Sequence, residues 1–95
     1  MASQGVDVFD EAVDIVSTFS MVQDQLYVIQ NKSDYRLYMY ADDATPDETS
    51  AAVIKATQFV ESNGSAQVTY GGTDNIYVWY PDPEDFGVVS IVEAA

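Results

Sequence analysis

Cysteine and histidine are both absent from this chain of 95 residues. The first absence removes disulfides, thiolate nucleophiles and zinc–thiolate sites. The second removes the commonest general base and the imidazole metal ligand. Positive charge is almost missing too: Lys32, Arg36 and Lys55 stand against sixteen acids, a net charge of -13. With so few cations to displace counterions from phosphates, the chain is not expected to bind nucleic acid directly. Anionic membranes are disfavoured for the same reason. No apolar run approaches the roughly 18–20 residues of a membrane span. The Asp-rich N-terminus lacks the basic region of a signal peptide. The expected location is therefore where the chain is made, in the cytoplasm or in a virion.

What is present is apolar, aromatic and acidic. Nearly half the residues, 47%, are hydrophobic and 13% are aromatic, so the chain can build one core over residues 1–95 and is not a disordered acidic tail. Asp outnumbers Glu eleven to five. Short acids with scarce Lys suit a surface adapted to high salt, where screening (a Debye length of about 3 Å at 1 M) relieves self-repulsion. An ordinary acidic surface is the competing reading.

The clearest local signal is a helix over Thr45 to Asn63. Thr45 and Glu48 form a capping box with Pro46 at the first helical position, and Ala52, Ala56, Phe59 and Val60 recur at helical spacing. Asn63-Gly64 is a left-handed stop. Val8, Phe9, Ala12, Val13, Val16 and Phe19 predict a second helix over about 7–20, with a strand at Val6–Phe9 as the alternative. Alternation predicts strands at Gln23–Gln30 and Tyr35–Ala41, joined as a hairpin through Asn31–Asp34. A second hairpin is expected from Ser65–Tyr70 and Asn75–Tyr80 around Gly71-Gly72, with a last strand at Val88–Glu93. The two halves match at an offset of 40 residues, Phe19 falling on Phe59 and Tyr40 on Tyr80. The expected fold is α+β: two helices on a mainly antiparallel sheet of four or five strands, with a possible αββ-αββ duplication.

In that fold Leu26, Val28, Leu37, Met39, Ile76 and Val78 face the helices. Tyr27, Ile29, Tyr38, Tyr40, Tyr77 and Trp79 then form an uncovered aromatic platform. Such a face exceeds what a monomer usually exposes and suits a protein interface; the competing reading makes the aromatic face the core. Val88, Val89 and Ile91 of the last strand extend the candidate interface. The Asp42-Asp43-Asp47-Glu48 and Asp82-Glu84-Asp85 loops could hold Ca²⁺ or Mg²⁺, but lack EF-hand spacing and read first as solvated surface. No metal or cofactor is expected, and no catalytic residue is proposed.

The functional expectation is a non-enzymatic structural or interaction subunit of a homo-oligomer or larger assembly, such as a capsid-decorating or connector protein of a virion from a high-salt setting. Its partner would be another protein or a second copy. The alternative is an acidic mimic of nucleic acid that blocks a basic nucleic-acid-binding protein.

Overall fold

Alternation, not helical spacing, governs most of the chain. The computed structural model describes residues 4–42, 58–81 and 84–93. In these the elements are β1 (Gln4–Val8), β2 (Val13–Asp14), α1 (Ile15–Phe19), β3 (Leu26–Lys32), β4 (Leu37–Asp42), β5 (Gln58–Val60), β6 (Ser65–Thr69), β7 (Asn75–Trp79) and β8 (Gly87–Glu93). They make two four-stranded antiparallel sheets, ordered β1-β8-β3-β6 and β2-β7-β4-β5. Every strand has a partner equally far from the other end of the series: β1 with β8, β2 with β7, β3 with β6, β4 with β5. The contacts β3–β8 and β4–β7 then complete each sheet. A long antiparallel ribbon folded over itself gives this nested winding, the jelly-roll arrangement.

This overturns the expected α+β fold of two helices on one sheet. In place of the 7–20 helix, Gln4–Val8 is strand β1 and only Ile15–Phe19 is helical. Val6 and Val8 alternate with Gly5 and Asp7, and pairing with β8 decides between the two periods. Of the Thr45–Asn63 helix, residues 45–57 lie outside the described residues, and Gln58–Val60 is strand β5 on β4. Asn63 does adopt the left-handed conformation, φ 55°, but it turns the chain between two strands. The predicted strands 23–30, 35–41, 65–70, 75–80 and 88–93 all exist, close to their expected bounds. Neither expected hairpin does: β3 and β4 sit in different sheets, as do β6 and β7. The αββ duplication falls with them.

The core lies between the sheets. Val8, Tyr27, Ile29, Val89 and Ile91 come from the first; Leu37, Met39, Val60, Ile76 and Val78 come from the second. Helix α1 closes one side with Ile15 and Phe19, four residues apart on one face. Its N-cap Asp14 accepts hydrogen bonds from the amides of Val16 (3.0 Å) and Ser17 (3.3 Å), and Ser20 ends it at φ 53°.

A polar side chain buried in this apolar layer finds all its partners there. Asn31, 1% exposed, donates through Nδ2 to the carbonyl oxygens of Tyr35 (2.6 Å), Val60 (3.1 Å) and Glu61 (3.2 Å). Its Oδ1 accepts from the Tyr80 hydroxyl (2.6 Å) and the Ser33 hydroxyl (3.1 Å). Asn31 belongs to the first sheet, whereas Val60 and Tyr80 belong to the second sheet and its extension. Asn31→Leu is expected to cost about 2–4 kcal/mol in urea unfolding, because it strands buried acceptors and a hydroxyl. Tyr80→Phe removes one donor and is expected to cost about 1 kcal/mol.

A candidate aromatic cleft at one end of the sandwich

Three segments meet above the Asn31 node: the end of β1 (Asp7 to Phe9), the corner between β3 and β4 (Lys32 to Tyr35) and the approach to β8 (Phe86 to Val88). They enclose a cleft of about 580 Å³. Among the described residues six large hydrophobic side chains are exposed, and four of them, Phe9, Tyr35, Phe86 and Val88, line this one cleft. Of the other two, Phe59 lies under the Arg36 guanidinium, 4.9 Å from the ring centroid. Val22 stands alone, as single surface hydrophobics commonly do. The exposed apolar surface is therefore gathered rather than scattered.

Each side chain is held by its neighbours. Phe9 (54% exposed) and Phe86 (62%) stack with centroids 6.3 Å apart and planes 28° from parallel. The Phe9 carbonyl accepts from the Tyr80 amide at 2.8 Å, tying the end of β1 to the end of β7. Tyr35 presents its ring edge-on to Tyr80, at 6.5 Å and 74°, and its amide donates to Ser33 Oγ at 3.1 Å. Gly87 forms the floor. A Cβ there would lie 2.7 Å from the Tyr80 hydroxyl and would also collide with Ser33, so only glycine lets β8 pass this close. The polar lining is Asp7, Asp34, Lys32 and Ser33. Rings and Val88 offer apolar area, while the two carboxylates favour a cationic group at the rim.

Of the residues expected to form an interface, only Val88 (39% exposed) lines the cleft. Tyr27, Ile29, Val89 and Ile91 are in the core and at most 1% exposed. The alternation on β3 is real but its faces are inverted: Leu26 and Val28 look outward and Tyr27 and Ile29 inward. A period of two does not say which side is inside. Tyr38, Tyr40, Tyr77 and Trp79 do share a face, as expected, with Tyr38 paired to Trp79 and Tyr40 to Tyr77. That face is no open platform. Tyr77 is 5% and Trp79 1% exposed, and only Tyr38 and Tyr40 are partly so. Phe9, Tyr35 and Phe86 were missed. Their signal was an aromatic beside acids in a segment that leaves a ladder, as in Phe9-Asp10-Glu11 and Asp85-Phe86-Gly87.

Of the two acidic loops, Asp43, Asp47, Glu48 and Asp82 lie outside the described residues. Among the described residues no group of three or more Asp or Glu is placed to hold a metal ion.

Under the cleft, burial raises the Tyr80 hydroxyl above its ordinary pKa of 10.0. The Ser33 hydrogen bond works against that shift and the nearby Asp85 charge adds to it. The folded state thus holds this proton more tightly than the unfolded chain. Its contribution is complete below pH 10.0 and is lost as pH rises through the folded value. Stability measured by urea unfolding is expected to fall above that pH, and Tyr80→Phe is expected to flatten the alkaline limb.

Compared with known proteins, the chain matches no family model, no curated protein and no solved structure.

Proposed function

We propose that this chain is a non-enzymatic, acidic structural or interaction subunit of a homo-oligomer or larger assembly, and that the cleft between Phe9, Tyr35, Phe86 and Val88 is a contact surface. The carrying observation is that, among the described residues, four of the six exposed large hydrophobic side chains converge on one cleft. Ordinary surfaces scatter such residues singly, and gathered ones mark interaction sites. Aromatic side chains also bury much area at low entropic cost, which suits an interface centre. A capsid-decorating or connector role in a virion, in a high-salt setting, is the context we favour. The jelly-roll winding recurs in viral capsid domains, though lectin domains and cupins share it, so this support is analogy of fold. The -13 charge supports the high-salt part, since copies repel one another unless screened.

Sedimentation in about 1 M NaCl, with NMR on the same samples, tests the reading. The expected outcome is a species heavier than the 10.4 kDa monomer, formed by the chain alone or with a co-purified neighbour. Resonances of Phe9, Tyr35, Phe86 and Val88 should shift together on association. Phe9→Ser with Phe86→Ser should weaken the contact at the cleft by at least about ten-fold while leaving the fold intact, since each ring offers on the order of 1–2 kcal/mol of exposed apolar area. A chain that stays monomeric at high concentration and high salt, and brings no neighbour with it, would overturn the proposal.

A further inference from the structure

Among the described residues four strands lie at sheet edges: β1 and β6 in the first sheet, β2 and β5 in the second. An exposed edge is a row of unpaired peptide groups and invites another strand, so proteins blunt edges by shortness, charge or proline. Three of these four are blunted. β2 has two residues and β5 has three among the described residues, and β1 carries Asp7. β6, Ser-Ala-Gln-Val-Thr, has five residues with no charge and no proline. It sits in the longest uncharged run of the chain, between Glu61 and Asp74, in a protein that is otherwise densely acidic.

The register shows which groups are free. The Tyr70 amide donates to the Gln25 carbonyl at 3.3 Å, and the Asn31 amide donates to the Gly64 carbonyl at 2.9 Å. Between these bonds β6 runs in unbroken antiparallel register with β3, Val68 opposite Tyr27 and Ala66 opposite Ile29. Alternation in such a ladder turns the Gly64 carbonyl and the peptide groups of Ala66, Val68 and Tyr70 toward β3. Those of Ser65, Gln67 and Thr69 point the other way, to the open side. Their side chains are exposed, and among the described residues their peptide groups have no partner.

We infer that β6 pairs edge to edge with β6 of a second copy, antiparallel about a two-fold axis at Gln67, joining two first sheets into one of eight strands. An isologous antiparallel pair sets Gln67 opposite its own counterpart and Ser65 opposite Thr69. All three free residues then exchange bonds, about six in total. A second copy is the fitting occupant on charge. Two molecules of -13 repel least where neither presents carboxylates, and this run is such a place. The contact refines the assembly reading above and rests on it, but uses none of the cleft residues.

Sedimentation and hydrogen exchange on the whole chain test the inference. The expected result is a monomer–dimer equilibrium that tightens by about ten-fold or more from about 0.1 to 1 M NaCl, as screening lowers repulsion. The Gln67 and Thr69 amides should gain protection with concentration, whereas the Val68 amide is protected already in the monomer. Gln67→Glu, nearly isosteric, sets two carboxylates face to face and should abolish the dimer near 0.1 M salt and restore part of it near 1 M. Thr69→Pro removes an outward amide without touching the bonds to β3 and should also abolish it. A monomer throughout, or a dimer that ignores both substitutions, would overturn edge pairing. If Phe9→Ser with Phe86→Ser breaks the dimer and Gln67→Glu does not, edge pairing fails and assembly through the cleft stands.

Discussion

The buried amide of Asn31 is the constraint on which the arrangement of the two sheets depends. Apolar contact between sheets is non-directional and would tolerate sliding or rotation of one layer over the other. A buried amide tolerates neither, because each polar atom must find a partner with the right geometry or bear a desolvation cost of about 1–3 kcal/mol. Asn31 makes those bonds to the β3–β4 corner, to the end of β5 and to Tyr80 beyond β7. The node therefore sets the relative position of both layers at one end of the sandwich. Ser33 and Tyr35 take their places from it, and Gly87 is required because β8 passes over the same hydroxyl. The aromatic cleft is in effect the outer surface of this node.

Local periodicity carried much of the strand content and little of the topology. Alternation along Leu26–Ile29, Leu37–Tyr40 and Ile76–Trp79 marked β3, β4 and β7 correctly. On β4 and β7 it also assigned the inward side, Leu37, Met39, Ile76 and Val78. On β3 it failed, because Leu26 and Val28 are as apolar as Tyr27 and Ile29 and only the second layer decides which pair is enclosed. The turn residues Asn31-Lys32-Ser33-Asp34 signalled a reversal, and a reversal occurs. A turn that closes a hairpin and one that hands the chain to the opposite sheet share the same local chemistry. What separates them is Asn31, whose bond to the Val60 carbonyl spans 29 residues and lies beyond any local window. The Val6–Phe9 ambiguity resolved toward strand for the same reason: its partner, β8, lies at the far end of the chain.

Charge and shape divide the surface. A chain of -13 keeps copies apart by default, so two places stand out: the uncharged β6 edge, and the cleft, where exposed rings gather beside Asp7, Asp34 and Lys32. They differ in kind. The cleft offers apolar area with two carboxylates and one ammonium at its rim, and selects by shape and charge. The edge offers peptide groups and selects by register. The exposed ion pair of Arg36 with Glu61, at 3.2 Å, is worth little in water. Its guanidinium also lies over the Phe59 ring, 4.9 Å from the centroid.

The insertion of β8 between β1 and β3 bears on how the molecule is made. Neither β1 nor β3 pairs with the other; each waits for Gly87–Glu93 to arrive between them. During synthesis β3 can pair with β6, but the first sheet stays incomplete until residues 87–93 have emerged, and β1 has no neighbour among the described strands until then. Contacts between segments so distant close slowly, which makes late closure a property of the winding itself.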